Sequence, residues 1–136
     1  PEVCAVLQRA LVSTVEGGTA ARARGALRHA DGSPATVGGK TGTGDHRYKV
    51  MARGQRVLEE RPVSRSATFV FLVDDRFFGV LTAVVTGPEA GRYHFTSSLP
   101  VQIFTALMPE VLPVLETSAA SDAPQVAAAP DQRLVR

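Results

Sequence analysis

The chain has 136 residues, of which 44% are apolar and 21% charged, with 12 Gly, 9 Pro and no Trp; this composition is typical of one small globular domain and excludes disordered and collagen-like chains. Its 15 Lys and Arg are scattered against 13 Asp and Glu, for a formal charge of +2, whereas a nucleic-acid-binding protein concentrates its basic residues. The single cysteine excludes an internal disulfide, and apolar runs of about five residues are far shorter than the roughly 20 that cross a bilayer.

The chain begins with a predicted amphipathic helix over about residues 2 to 15, and Gly17-Gly18 end it. Cys4 lies on its apolar stripe, so we expect a buried, inert thiol. A second, brief helix is predicted from Thr19 to Leu27, with Thr19 as a candidate N-cap. A turn follows at Asp31-Gly32-Ser33-Pro34.

The middle of the chain carries the predicted strands. Thr36 to Thr43 reads TVGGKTGT and predicts a strand whose glycines let other groups approach the backbone. The polar stretch that follows predicts a loop and a weaker strand around Arg56 to Ser64. Ala67 to Val73 and Phe77 to Thr86 are apolar on both faces, which predicts a central hairpin covered by helices on both sides. Asp74 and Asp75 are predicted to form its turn rather than a carboxylate pair.

The last predicted element is a helix that Ser97 or Ser98 caps, with Pro100 in its first turn. It should lie across the sheet and bend at Pro109. Residues 116–136 contain few large apolar groups and predict a disordered tail. The apolar stripe of the helix is formed by Phe104, Leu107, Met108, Val111, Leu112 and Leu115.

The run Gly38-Gly39-Lys40-Thr41-Gly42-Thr43-Gly44 contains a lysine, two hydroxyls and four glycines within seven residues. A phosphate-binding Walker loop would need glycine at position 34, which is Pro34. A dinucleotide fingerprint fails as well, because Asp45-His46-Arg47 follows where a spaced glycine is required. The other kind of site that uses such a mixture is an acyl-transfer cleft with a Lys-Thr-Gly wall.

On an extended strand, Lys40 and Gly42 point one way while Thr41 and Thr43 point the other, and backbone N–H groups remain at the edge. Lys40 supplies positive charge, and the two threonines supply hydroxyl donors suited to a carboxylate. Gly42 lacks the Cβ that would block a substrate. The Thr43 N–H could provide half of an oxyanion hole.

These residues resemble the penicillin-binding proteins, which are serine transpeptidases. Their third active-site motif resembles GGKTGTGDHR, and the segment ahead of it resembles LQRALVSTVEGGTAARAR. Their last two strands and closing helix resemble SRSATFVFLVDDRFFGVLTAVVTGPEA and YHFTSSLPVQIFTALMPEVLPVL. The resemblance covers roughly residues 3 to 115 in order and is greatest to membrane-anchored synthases, including bifunctional ones with an upstream glycosyltransferase domain.

The resemblance implies an α/β fold of the α+β type, an antiparallel sheet flanked by helices that forms part of a serine β-lactamase/penicillin-binding transpeptidase-like fold. Residues 1–115 would be the C-terminal part of the transpeptidase domain. It implies that Lys40, Thr41, Gly42 and Thr43 bind the terminal carboxylate of a D-alanyl-D-alanine stem peptide or of a β-lactam, with Lys40 and Thr43 also serving catalysis. The expected setting is peptidoglycan biosynthesis at the extracytoplasmic (periplasmic) face of a bacterial membrane, anchored through a missing N-terminal region.

The chain also departs from that family. The family's Ser-x-x-Lys motif has a serine three residues before a lysine, but Val37 and His46 stand at those positions before the chain's two lysines. The family's Ser-x-Asn motif is absent as well, because the chain has no Asn. Without a nucleophile the chain alone cannot form an acyl-enzyme. We therefore expect a partner in the upstream part of the same domain; the alternatives are an inactive truncated binding module and a part of a carboxypeptidase or β-lactamase-like hydrolase.

The remaining polar residues predict no further chemistry. His29, His46 and His94 are dispersed, which favours surface histidines over a metal site. The sequence predicts no metal, no cofactor, no nucleic-acid partner and no membrane contact by this segment. Asp45-His46-Arg47 favours a solvated polar loop over a charge-paired one. The apolar hairpin has few partners within the chain, so we expect the isolated protein to expose apolar surface and aggregate.

Overall fold

The computed structural model describes residues 2–121 and has an α+β architecture, as the sequence predicted: a three-stranded antiparallel sheet with two α-helices. Short 3-10 helices precede the sheet and follow it. In chain order the elements are α1 (Glu2–Glu16), a 3-10 helix (Ala21–Ala23), β1 (Val37–Met51), β2 (Val57–Val73), β3 (Phe77–Thr86), a second 3-10 helix (Pro88–Arg92) and α2 (Ser98–Ser121).

The sheet has the strand order β1-β2-β3, so β1 and β3 are its edges in the described part of the chain. Val73 pairs with Val37 on one side and with Phe77 on the other. The predicted hairpin is confirmed, with its turn at residues 74–76. Side chains alternate between the two faces of a strand. In this register the odd-numbered side chains lie on one face of the sheet and the even-numbered side chains on the other, over residues 37–45, 65–73 and 77–85.

The odd-numbered face carries the core, and α2 packs on it. The Phe104 ring of α2 meets the Phe69 ring edge-on at 5.2 Å between centroids and lies 4.8 Å from the Phe71 ring. Phe69 and Phe104 are fully buried. This aromatic contact fixes α2 across the sheet, as predicted. The core is completed by Val15, Ala20, Ala23, Leu27, Val37, Val73, Val101, Met108 and Leu112.

α1 lies over β1 on the even-numbered face. A Cβ on Gly38 would come within 3.2 Å of Leu11, so the glycine lets the helix lie directly against the strand. The side-chain amide of Gln8 donates to Asp75 and ties α1 to the hairpin turn. Only Val15 of α1 is buried. The prediction that Cys4 is buried is wrong, since Cys4 is exposed, because α1 covers only one end of the sheet and leaves its own first half in solvent.

The rest of the even-numbered face is bare in the described structure. Phe78 is 84% exposed, Val80 58%, Val84 55% and Val70 44%. The expectation of helices covering both faces of the hairpin is therefore wrong over most of that face. The predicted exposure of apolar surface has a physical basis in these four side chains.

β1 is longer than predicted, since it continues through Gly44 to Met51 where the sequence predicted a loop. This outer part pairs with the first half of β2 as a two-stranded ribbon, with register shifts after His46 and after Val50. Arg47 forms an ion pair with Asp45 along β1 at 3.1 Å and another across the ribbon with Glu60 at 3.3 Å. The charges that suggested a solvated loop are thus partners within a paired strand.

α2 also extends further than predicted. It runs to Ser121 through Pro109 and Pro113, so residues 116–121 are helical where the sequence predicted the start of a disordered tail. Leu107, assigned to its apolar stripe, is 49% exposed. The remaining predicted tail, residues 122–136, lies outside the described residues.

One helix among the described residues, over Ser98–Ala119, is long and apolar enough to cross a membrane by length and composition alone. Core helices pass the same test, so this is weak evidence for a span. Here Phe104 and Leu112 of that helix are fully buried against the sheet and its neighbours.

The second helix is shorter than predicted. It spans only Ala21–Ala23 rather than residues 19–27, and its N-cap residue is Ala20, with no side-chain cap. Thr19 is therefore not a cap. Its hydroxyl is used at β1 instead, as described below.

Candidate functional site

The Lys-Thr-Gly run lies on β1, an edge strand, and the backbone hydrogen bonds show which of its groups face outward. The Asp74 amide donates to the Thr36 carbonyl at 2.8 Å, one step before the first β1–β2 pair. Because bonded and non-bonded pairs alternate in an antiparallel ladder, the backbone groups of Thr41 and Thr43 point away from β2. The Thr43 N–H is thus directed to the open edge.

Lys40 reaches the same edge by its side chain. Its ammonium donates to the Thr41 carbonyl oxygen at 2.7 Å, and Lys40 is exposed. That carbonyl is one of the outward-pointing groups, so the ammonium lies beside the edge rather than above the sheet. An ammonium has three donors, which leaves capacity for an incoming anion.

Thr43 is held in place by the segment that leads into α2. The Ser97 amide donates to the Thr43 hydroxyl oxygen at 3.0 Å, so the hydroxyl retains its own proton for donation. Thr43 is exposed. Ser97 precedes the first residue of α2, and the N-terminal end of a helix carries partial positive charge that favours an anion nearby.

Thr41 lies on the opposite side from Lys40 and is not available to a ligand at the edge. It is only 8% exposed, and its hydroxyl is 2.6 Å from the Thr19 hydroxyl. The bond ties the segment after α1 to β1. The predicted role of Thr41 in holding a carboxylate is therefore not supported by its position, because its odd-numbered place on the strand turns it toward the core.

The glycines of the run differ in what they accommodate. A Cβ on Gly39 would come within 2.4 Å of the Phe69 ring, and one on Gly44 within 2.7 Å of the Ser66 hydroxyl. These positions and Gly38 confirm the predicted close approach to the backbone. A Cβ on Gly42 would have no atom within 4 Å, so Gly42 leaves the space beside the strand open on the face that Lys40 shares.

Next to this edge the charges are balanced. Asp45 is paired with Arg47 and lies 4.0 Å from the Arg65 guanidinium, which also donates to the Phe95 carbonyl at 2.9 Å. Hydrogen bonding to Asp45 raises the pKa of Arg47 above its ordinary value. The carboxylate nearest the run in sequence is thus matched by cations, and the Lys40 charge is left to attract an anion.

A second polar cluster lies away from the run. His29 Nδ1 is 2.6 Å from a Glu116 carboxylate oxygen, and His29 Nε2 is 3.4 Å from an Asp74 carboxylate oxygen. The hydrogen bond to Glu116, with the charges of Asp74 and Asp31, raises the pKa of His29 against a smaller opposing effect of burial. Both ring nitrogens are engaged, so the cluster joins elements rather than offering a free base.

An apolar cavity of about 390 Å³ lies beside the ribbon, between Tyr48, Pro62, Val63 and Pro88. Its charged lining residue is Arg61, whose guanidinium carbon lies 5.0 Å from the centre of the Tyr48 ring. The cavity shares no lining residue with the Lys-Thr-Gly run. It offers no group for acyl transfer.

The described residues contain no group of three or more His, Cys, Asp or Glu side chains placed to hold a metal ion. The sequence did not predict three contacts at these sites, which are those made by Thr19, Ser97 and the His29 partner Glu116. Each meets its partner 22 to 87 positions away along the chain. No local pattern marks such a pair.

No family model, curated protein or solved structure matches the chain. The resemblance to penicillin-binding proteins therefore stays a prediction from the motif and its flanking segments.

Proposed function

We propose that this chain supplies the carboxylate-binding and oxyanion wall of a penicillin-binding D,D-transpeptidase, an enzyme that cross-links peptidoglycan stem peptides by acyl transfer. The observation that carries the proposal is the edge formed by the Lys40 ammonium and the outward Thr43 N–H, with open space beside Gly42. The order of elements supports it, since a helix, the Lys-Thr-Gly strand, an apolar hairpin and a closing helix follow one another as in the resembling segments.

In this role Lys40 and Thr43 act on different groups of the substrate. Lys40 attracts the terminal carboxylate of an acyl-D-alanyl-D-alanine peptide, and the Thr43 hydroxyl donates to the same anion while it accepts from Ser97. The Thr43 N–H polarises the carbonyl under attack and stabilises the negative charge that develops on its oxygen. The serine that attacks, and the base that activates it, belong to an upstream part of the same domain, since the chain has no Ser-x-x-Lys.

The proposal is tested by following backbone amide resonances while an acyl-D-alanyl-D-alanine peptide is added. We expect the Thr43 and Gly42 amides to shift, and K40Q to weaken binding about tenfold or more, because a charge-assisted hydrogen bond contributes about 1.5–3 kcal/mol. K49Q is the matched control, since Lys49 is the other lysine and pairs with Glu60 on the ribbon. Equal weakening by the two substitutions would contradict a site at Lys40.

Gly42→Ala provides an independent measurement. A Cβ at this position meets no atom of the described chain, so we expect the free energy of unfolding to change by less than about 0.5 kcal/mol. The same Cβ would stand in the space proposed for the peptide, so binding should weaken. Unchanged binding in a stably folded G42A protein argues against the proposed position of the substrate.

Fluorescent penicillin separates the transpeptidase wall from a catalytically complete enzyme. We expect no covalent labelling of the chain alone, and labelling when the upstream segment encoded next to it is supplied. Covalent labelling of the chain alone would show that a nucleophile is present after all. Peptide binding without labelling in either mixture would favour the truncated, non-catalytic module instead.

A further inference from the structure

The cavity beside the ribbon lies where the two-stranded ribbon leaves the three-stranded part of the sheet. His46 pairs with Ser64 but the next residue, Arg47, pairs with Pro62, so Val63 is an extra residue in β2. An extra residue of this kind is a β-bulge, which bends its strand and re-aims nearby side chains. Proline has no amide for the ladder and is tolerated at a bulge. The Pro62-Val63 pair thus marks a bend between the sheet and the ribbon.

The segment that follows β3 forms the wall opposite the ribbon. The Gly87 amide donates to the Val63 carbonyl at 2.7 Å, and a Cβ on Gly91 would lie 2.8 Å from the Pro62 ring. The second 3-10 helix therefore lies directly against the bend, and Pro88, its first residue, lines the cavity. A hydrogen bond and close packing within the chain fix these walls, as in ligand sites that are formed before the ligand binds.

The surface of the cavity is apolar on three sides. Val63 and the rings of Tyr48, Pro62 and Pro88 line it. Tyr48 is 50% exposed and Val63 46%, so this apolar surface is open to water. The volume of about 390 Å³ lies at the lower end of the range of small-molecule sites, roughly 300–1,000 Å³. Flat rings in the walls favour a flat apolar ligand, because rings stack on one another.

Arg61 is the charged residue of the lining, and the bulge determines its position. Without the extra residue Pro62 would pair with Tyr48, whereas with it Arg61 does. A shift of one residue moves a side chain to the other face of a strand, so the bulge places Arg61 on the side of Tyr48. The guanidinium carbon lies 5.0 Å from the centre of the Tyr48 ring. A guanidinium that stacks on a ring still presents its N–H donors in its own plane.

The Arg61 charge has no partner carboxylate in the part of the chain that the structure describes. Glu60, its neighbour, is shared by Arg47 at 3.3 Å and Lys49 at 3.6 Å. Glu59 is exposed and forms no ion pair with Arg61. The stretch from Arg47 to Arg61 contains five cationic side chains and two carboxylates, and this excess of positive charge attracts anions.

We propose that this cavity is a separate binding site for a small aromatic carboxylate. The flat ring lies among Tyr48, Pro62 and Pro88. The carboxylate accepts two N–H bonds from the Arg61 guanidinium, whose fork matches it. The inference goes beyond the proposed function, since the cavity and the Lys-Thr-Gly run share no residue. Either site can be absent without the other.

Titration of the full chain with 2-naphthoate, followed by backbone amide resonances, tests the site. We expect saturable binding with a dissociation constant of about 1 mM or below, and shifts at the Val63 and Gly87 amides. R61Q should weaken binding about tenfold or more, because it removes a charge-assisted contact. R56Q is the matched control, since Arg56 immediately precedes β2 in the same ribbon and does not line the cavity.

The charge and the ring of the ligand are tested separately. 2-Naphthamide has the same rings without the charge, so the wild type should prefer 2-naphthoate and R61Q should lose that preference. Y48A should weaken the binding of both, since it removes one wall. Y93A is its control, because Tyr93 is the other tyrosine, is 48% exposed and lies outside the cavity. Urea denaturation checks that each variant is folded.

The Lys40 ammonium is another group that attracts a carboxylate, and K40Q separates the two sites. 2-Naphthoate should bind K40Q as it binds the wild type, with the same shifts at Val63 and Gly87. Loss of binding in K40Q, with wild-type shifts centred on Gly42 and Thr43, would assign the probe to the Lys-Thr-Gly edge. That result would overturn the inference and support the proposed function.

Three further outcomes would contradict a site at the cavity. The first is an absence of saturable binding to the folded wild type at millimolar 2-naphthoate. The second is equal weakening by R61Q and R56Q, which would mean a general attraction of anions to the basic ribbon. The third is equal affinity of the wild type for 2-naphthoate and 2-naphthamide, which would mean that Arg61 does not hold the carboxylate.

Discussion

At the scale of single residues, His29 joins three separate parts of the chain. It follows the first 3-10 helix, and it binds Glu116 near the end of α2 and Asp74 in the hairpin turn. Asp74 itself accepts the Thr36 amide at 2.9 Å and has φ of 51°, a left-handed conformation that aspartate tolerates in turns. The His29 imidazole thus links the hairpin turn to α2 and, through Asp74, to the start of β1.

This cluster predicts a pH dependence of stability. The pKa of His29 is raised above 6.5 in the folded protein, mainly by the hydrogen bond to Glu116, so folding favours the protonated ring. The contribution of the protonated His29 to stability is fully present below the unfolded pKa of 6.5 and is lost as pH rises through the folded pKa. We expect the free energy of unfolding of the wild type to exceed that of H29Q below about pH 6.5, and this difference to shrink as pH rises above that value.

Urea denaturation at several pH values measures that difference. His94→Gln is the control, at an exposed histidine. The proposed charge pairing would be contradicted if the difference in free energy of unfolding between the wild type and H29Q stayed constant or grew as pH rises.

At the scale of elements, α2 and the sheet are joined mainly by aromatic packing. Phe104 is fully buried against Phe69 and Phe71, whereas Leu107, one helical turn further on, is 49% exposed. We expect F104A to lower the free energy of unfolding by about 3–5 kcal/mol, because it leaves a cavity among rings. L107A should cost about 1 kcal/mol or less. Chemical denaturation of both variants checks the contrast, and similar losses would mean that α2 packs by a different face.

This helix also shows how far the sequence could predict the fold. Helical periodicity identified α2 and most of its buried residues, because spacing determines which side chains share a face. It could not predict how wide a stripe the sheet covers, so Leu107 was assigned to the core. The helical end beyond residue 115 was missed as well, since the contact that holds Glu116 comes from His29, 87 positions earlier.

The candidate site was predictable to a similar extent. The Lys-Thr-Gly run identified the strand and predicted that Lys40 and Gly42 point to one side and Thr41 and Thr43 to the other, because strand alternation depends only on sequence. The Thr41 hydroxyl is occupied by a hydrogen bond with the Thr19 hydroxyl, and tertiary structure brings these two oxygens within 2.6 Å of each other. A sequence pattern cannot distinguish a hydroxyl that is free for a ligand from one that a distant residue already occupies.

At the scale of the whole molecule, the sheet is covered unequally. One face is packed by α2, while the other carries an exposed apolar patch of Val70, Phe78, Val80 and Val84 that α1 does not reach. A chain of this size buries about two thirds of its unfolded surface, and α1 lies against β1 and leaves the β3 side of the even-numbered face uncovered. The patch therefore follows from the placement of the two helices in the described structure.

Adjacent phenylalanines allow a test of this unequal covering. Phe77 packs against the core from the odd-numbered face, whereas Phe78 is 84% exposed on the other. We expect F78T to keep the free energy of unfolding within about 0.5 kcal/mol of the wild type, while binding of a hydrophobic dye and aggregation both fall. F77T should cost about 2 kcal/mol or more, since it removes buried ring contacts. Equal destabilisation by the two substitutions, or dye binding unchanged in F78T, would mean that the even-numbered face is covered in solution.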